Sequence, residues 1–219
     1  MRLVFLSLLV SCSPPGAVLV STPAPAEVDG DGYHDTADPS PVLGRVHVTV
    51  HEERYQLTGA TAEELSQDLH RRRPRDERFT GWTRWRLRWR FEPTEDARGC
   101  SVGPVDVDLD LTTVLPTWAA SVDADPRLID AWRDYLVALE EHERGHGDLA
   151  REAAERIRDQ LTAIPPTRDC ALLRDHAHRV GHAEVQRLRH DNAQLDETTG
   201  HGATQGAIFP GPERLASVE

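Results

Sequence analysis

Hydrophobic and polar residues alternate in two stretches of the first half of the chain, as they do in half-buried β-strands. Every second residue from Arg84 to Arg90 is Arg, and every second residue from Asp106 to Asp110 is Asp. If these strands pair antiparallel, the Arg and Asp side chains face each other on one solvated surface. The apolar side chains then share the opposite face. A third alternating stretch begins at Val46 and predicts another strand.

The second half of the chain has the period of amphipathic helices. Asp125 and Pro126 have the form of an N-cap and a first helical residue, and the apolar stripe continues to about Leu161. A second helix is predicted over about 171–193, antiparallel to the first, followed by a Gly-rich loop that begins at Asp196. The predicted fold class is α+β, with a small antiparallel sheet packed on a pair of long helices.

The sequence His-Glu-x-x-His lies on the apolar stripe of the first long helix, at His142, Glu143 and His146. Two His residues four positions apart share one helical face and can bind one metal ion. Glu143 is then placed to take a proton from a metal-bound water. This motif predicts a zinc site that faces the body of the domain, with Glu143 as the general base.

A catalytic zinc ion usually has three protein ligands and leaves its fourth position to water. Glu152 stands where the metzincin pattern requires a third His, so that class is excluded in its usual form. We expect the third ligand to be His201, then Asp196, then Glu184 on the second helix. If His201 binds the metal, Asp196 can orient its ring.

The 219-residue chain has a formal net charge of -12, which disfavours nucleic-acid binding. No apolar run is long enough for a membrane span. Residues 1–11, a charged tip followed by an apolar stretch, are predicted to be a secretory signal peptide. The residues around Cys12 resemble a bacterial lipobox, which implies lipidation of Cys12. The alternative is an ordinary signal peptide with an incidental Cys.

Residues 12–42 have the composition of a linker and are too poor in apolar residues to form a core. Within them lies an acidic loop that resembles a thrombospondin type 3 calcium repeat, because its carboxylates alternate with Gly and other residues. The candidate calcium ligands are Asp29, Asp31, Asp35 and Asp38. The alternative is a solvated acidic linker. The folded domain is predicted to span residues 43–219.

If Cys12 carries a lipid, Cys100 and Cys170 remain as a pair. In an exported protein such a pair predicts a disulfide. The alternative is two free buried thiols.

An ordered set of motifs resembles the bacterial family called domain of unknown function 922, described as predicted secreted zinc-dependent proteases. The resemblance covers about Tyr55 to Pro210. The matching residues are Cys100, Leu115, Pro116, Trp118, His142, Glu143, His146, Cys170, Asp196, Thr199, His201 and Gly202. The resemblance implies a zinc-binding domain with a zincin-like arrangement and peptidase activity.

The leading hypothesis is therefore an exported zinc metallopeptidase, which hydrolyses peptide bonds by a zinc-activated water with Glu143 as general base. Its partners are a peptide or protein substrate, with the membrane reached only through the N-terminal lipid anchor. The first alternative is a lipid-anchored zinc-binding envelope protein without peptidase activity. A structural module that uses the acidic calcium loop, and an amide hydrolase acting on cell-wall peptides, are further alternatives.

Overall fold

The computed structural model describes residues 44–72, 79–97 and 99–212. Its elements are β1 (Val46–Leu57), α1 (Ala62–Arg72), β2 (Trp82–Asp96), β3 (Gly99–Trp118), α2 (Pro126–Thr162), α3 (Cys170–Thr199) and a short 3₁₀ helix (Ala203–Gln205). The predicted signal peptide, the linker with its acidic loop, and Cys12 lie outside the described residues.

The three strands form a mixed sheet in the order β1-β3-β2. β2 pairs antiparallel with β3, as predicted, and Leu87 lies opposite Leu109. β1 pairs parallel with β3, and Val48 lies opposite the same Leu109 on its other side. The prediction of a wholly antiparallel sheet is therefore wrong for β1. Alternation of apolar residues determines which face a side chain occupies, but it fits a parallel and an antiparallel partner equally well.

The Arg and Asp rows of β2 and β3 face each other, as the alternation predicted. Arg88 lies opposite Asp108 in the register. The ion pairs run diagonally, with 2.9 Å between Arg88 Nη2 and Asp110 Oδ2, and Arg90 binds Asp108. The opposite face of the sheet carries the apolar side chains, which pack against α2 and α3. The main hydrophobic core of the domain thus lies between the sheet and the helix pair and holds them together.

The two long helices run antiparallel, as predicted. The side chain of Asp125 caps α2 by accepting a hydrogen bond from the backbone N–H of Arg127. The contacts between the helices show this direction. Arg156 Nε on α2 donates to Glu184 Oε2, whereas His146, which comes earlier on α2, contacts Asn192, which comes later on α3. Across the described residues, neither helix contains a stretch that is both long and apolar enough to cross a membrane.

α3 ends later than its sequence pattern predicted. It extends to Thr199, and Gly200 then adopts a left-handed conformation with φ 57° that ends the helix. Asp196 therefore lies in the last turn of a helix and not in a loop. The apolar stripe stops early because the inward positions of this turn are occupied by polar residues that contact the two His side chains of α2.

A disulfide joins Cys100 and Cys170, as predicted. It links the start of β3 to the first residue of α3, and the backbones of Cys100 and Thr167 also exchange two hydrogen bonds there. The N-terminal end of α3 is therefore attached to the sheet both covalently and through the backbone.

Removing this disulfide should weaken the fold considerably, because the bond joins residues 70 positions apart and restricts the unfolded chain. Replacing both cysteines by Ala should lower the free energy of unfolding by about 4 kcal/mol. Urea unfolding followed by circular dichroism measures this loss. The wild-type chain unfolded with a reductant should show a similar loss, and an unchanged midpoint in the double variant would contradict the expectation.

Candidate metal centre

His142 and His146 lie one helical turn apart on the face of α2 that points into the domain, and both are buried. Their ring centroids are 4.8 Å apart, with the ring planes nearly perpendicular. The inward orientation follows from the apolar stripe of α2, on which both residues lie between Leu139 and Ala150, themselves buried. The two rings therefore have the placement that the sequence predicted.

Side-chain amides fix the orientation of both rings. His146 Nδ1 donates to Asn192 Oδ1 at 2.6 Å, and the amide nitrogen of Asn192 donates to the carbonyl of Leu188. His142 Nδ1 donates to Gln205 Oε1 at 2.9 Å. Since a carbonyl oxygen only accepts, each Nδ1 carries the proton and each Nε2 is left as an acceptor.

Asn192 and Gln205 were not predicted as site residues. Their contacts cross 46 and 63 positions of sequence, so no local spacing indicates them. The one available signal was on α3, where Asn192 and Asp196 are four residues apart and therefore share a helical face.

The two Nε2 atoms meet one carboxylate oxygen of Asp196. Asp196 Oδ1 lies 3.2 Å from His142 Nε2 and 3.1 Å from His146 Nε2, and the two nitrogens are 3.2 Å apart. Ligand atoms arranged tetrahedrally at zinc distances of about 2.0–2.1 Å lie about 3.3–3.4 Å from one another. The three acceptor atoms thus have nearly the spacing of three corners of a metal tetrahedron, and the cluster can hold a metal ion.

Burial determines the protonation state of His142. It lowers the pKa of this imidazole below its ordinary value, and the nearby His146 acts in the same direction, whereas the contacts with Gln205 and Asp196 raise it. The net effect is a neutral ring at neutral pH. A neutral imidazole is the form that binds a metal ion.

His201, the first choice for the third ligand, lies just outside this cluster. Its Nδ1 is 3.3 Å from the same Asp196 Oδ1. The ring is 41% exposed and stacks on Phe79 with 3.7 Å between centroids. The backbone of His201 has a φ of 55°, the one positive value at a residue other than Gly in the described part of the chain. Such strain at a cleft residue is typical of functional sites.

Glu184, the third choice for this ligand, is not brought to the cluster. Its carboxylate accepts hydrogen bonds from Arg156 Nε at 2.9 Å and from Gln160 Nε2 at 2.8 Å. These bonds lower its pKa although burial opposes them. Glu184 therefore joins α3 to α2 at a distance from the two His residues.

Two glycines allow the close approach of neighbouring backbone and side chains to the site. A Cβ at Gly202, where φ is 81°, would lie 3.0 Å from His142 Cγ. A Cβ at Gly145 would lie 3.1 Å from Leu195 Cδ2 on α3. At Gly145 the end of the Leu195 side chain would have to shift by a few tenths of an ångström, whereas at Gly202 both the positive φ and the contact with His142 oppose a side chain.

Glu143 is buried and follows His142 directly on α2. It lines a cleft of about 490 Å³ together with the three residues of the cluster and His201. The other wall of the cleft is the start of β2, and Thr83 Oγ1 there donates to the backbone carbonyl of Glu143 at 3.1 Å. The structure thus places a carboxylate beside the cluster in a cavity that can admit a ligand.

Loss of the amide that orients His146 should weaken metal binding. Asn192→Ala removes the acceptor at Nδ1, so we expect zinc affinity to fall about 10–100-fold. Competition with a chromophoric chelator measures the affinity. Gln194→Ala, at an exposed position on the same helix, is the matched control and should bind zinc as the wild type does. Equal affinities of the Asn192 variant and the wild type would show that this amide does not orient the ring.

Comparison with family models gives one match, over residues 52–202, to a family described as a bacterial protein of unknown function (DUF922). No curated protein and no solved structure matches the chain. The matched segment covers more than half of the 219 residues and contains His142, Glu143, His146 and Asp196. The chain therefore belongs to the bacterial family DUF922.

Proposed function

We propose that this chain is an exported zinc-dependent metallopeptidase. The observation that carries the proposal is the meeting of His142 Nε2, His146 Nε2 and Asp196 Oδ1 within 3.1–3.2 Å of one another, on one side of a cleft that Glu143 also lines. Three acceptor atoms at this spacing repel one another unless a cation lies among them. A binding site, a buried carboxylate and an accessible cavity are the parts that such an enzyme needs.

The donor set fits zinc. Two neutral imidazoles and one carboxylate are common zinc ligands, and three protein ligands leave a position for substrate. When bound, zinc would act as a Lewis acid that polarises an amide carbonyl and makes water more acidic. Asn192 and Gln205 keep the two imidazoles in the tautomer that this role requires.

Glu143 has the position of a general base. Its carboxylate would accept a proton from the attacking water and pass it to the amine nitrogen that leaves when the peptide bond breaks. Glu143 directly follows His142 in α2, so the base and the metal ligand are held in one rigid helix. This division of roles leaves Asp196 as a ligand and His201 as the residue that contacts its carboxylate.

The proposed export is supported by the disulfide. Bonds such as Cys100–Cys170 persist in oxidising compartments and are rare in reducing ones. With the predicted signal peptide over residues 1–11 and a lipid on Cys12, the domain would act at the cell envelope on peptide or protein substrates. A lipid-anchored zinc-binding protein without activity differs from this proposal at one residue, Glu143, which it does not need as a base.

Replacing the proposed base should abolish cleavage while keeping the metal. With the zinc-loaded full chain and a diverse peptide mixture read by mass spectrometry, Glu143→Gln should cut about 10²–10⁴-fold more slowly than the wild type. Its zinc content should be unchanged. The matched control is Glu141→Gln, which changes an exposed carboxylate on the same helix and should leave cleavage intact.

Two outcomes would overturn the peptidase proposal. The first is a Glu143→Gln variant that cuts as fast as the wild type, since the base would then be another group. The second is a wild-type chain that holds zinc but cuts no peptide, which would favour the zinc-binding protein.

The choice of third ligand is tested separately by zinc affinity. Asp196→Ala should lower the affinity more than about 100-fold because it removes a ligand, whereas His201→Ala removes a contact to that ligand and should cost about 10-fold. Equilibrium dialysis with each purified variant measures both values, with His142→Ala as the reference for the loss of a ligand. If His201→Ala loses zinc as completely as His142→Ala, His201 is the ligand.

A further inference from the structure

Several apolar groups line the cleft beside the metal cluster. Leu139 lies one helical turn before Glu143 on α2 and lines the cleft, as do Ala207 and Phe209 from the segment after the 3₁₀ helix. Leu139 belongs to the second hydrophobic core of the domain, and Ala207 and Phe209 pack against that core. We call the part of the cleft formed by Leu139, Ala207, Phe209 and Gly81 the apolar pocket, and Leu139 places it one helical turn from the proposed base.

The inner limit of the apolar pocket is set by close packing. A Cβ at Gly81 would lie 3.1 Å from three carbons of the Leu139 side chain, so the backbone of the residue just before β2 rests directly on that side chain. Phe209 is supported from behind by Tyr135 and Trp132, with ring centroids 5.4 and 6.1 Å away. Walls supported in this way keep their shape when the pocket is empty.

Two tyrosine hydroxyls hold the rim of the apolar pocket in place. Tyr55 Oη donates to the backbone carbonyl of Thr80 at 2.5 Å, and Tyr135 Oη donates to the hydroxyl of the same residue. Burial raises the pKa of Tyr135, so its phenol remains a donor at any physiological pH. The rim is thereby attached to β1 and to α2, and the pocket is formed before a ligand arrives.

The positions of the ionisable residues in the cleft determine which substrate side chains the apolar pocket favours. The ionisable residues that line it, within the described part of the chain, are those of the metal cluster together with Glu143 and His201. None of these lies among the four residues of the apolar pocket. A charged side chain that entered the pocket would lose its hydration without gaining a charged partner among these four residues, whereas a large apolar side chain would only leave water.

We propose that the apolar pocket selects substrates with a bulky, uncharged apolar residue, such as Leu or Phe, next to the bond that is cut. This specificity rests on the proposed peptidase function, because the side chain that fills the pocket would belong to the substrate residue next to the hydrolysed amide. Phe79, at the rim and 37% exposed, would lie against the same peptide.

The experiment uses the zinc-loaded full chain and a series of peptides that differ at one position, which is Phe, Leu, Ala, Glu or Arg. Cleavage by the wild type is measured as kcat/KM, and binding to Glu143→Gln is measured by calorimetry. We expect Phe and Leu to be favoured at least about 10-fold over Ala, and more over Glu and Arg, in both measurements. Ala207→Leu should fill the pocket and remove this preference, and Ile208→Leu is the matched control.

The two measurements separate the inference from the function on which it rests. Cleavage without a preference for Phe or Leu would overturn the specificity and leave the peptidase in place. Absence of any cleavage would overturn the peptidase, and equal binding of all five peptides to Glu143→Gln would overturn the pocket. Should Ala207→Leu fail to fold by circular dichroism, the wild-type ranking of the five peptides alone decides.

Discussion

The central constraint in this structure is the close approach of three electron-rich atoms, whose mutual repulsion a cation would relieve. Two imidazole nitrogens without protons and one carboxylate oxygen are held 3.1–3.2 Å apart by helices that cannot easily separate. The amides of Asn192 and Gln205 prevent the rings from turning their protonated nitrogens inward. Gly202 is a further condition for this arrangement, because its positive φ and its lack of a Cβ let the turn after α3 lie against His142.

The mixed sheet and the helix pair support the cluster of His142, His146 and Asp196 in different ways. The sheet supplies a flat apolar face, and its arginines and aspartates neutralise one another on the opposite side. α2 crosses the apolar face and carries both imidazoles and Glu143, so these three side chains have fixed mutual positions whatever α3 does. α3 contributes Asp196 to the cluster, and its own placement relies on the disulfide at Cys170 and on the buried contacts of Glu184.

Sequence patterns predicted what is local and missed what is long-range. The cap at Asp125 and the apolar stripe were sufficient for α2, and the stripe also placed His142 and His146 on its inward face. The parallel pairing of β1 escaped prediction because alternation carries no strand direction. The sequence predicts a loop where the last turn of α3 lies, since the polar residues that face the site there interrupt the stripe. A loop position gives no means of ranking Asp196 against His201, whereas the helix brings Asp196 to the two imidazoles.

The position of Asp196 at the far end of α3 has a consequence for the order of events during maturation. The donor atoms come from residues 142, 146 and 196, and they converge only when two helices of 37 and 30 residues lie side by side. An extended polypeptide offers a His pair but no complete coordination sphere. A metal ion that the three residues hold together can therefore be bound by all of them only after α2 and α3 have docked. Oxidation of Cys100 and Cys170, which attaches the first residue of α3 to the sheet, favours the same docking.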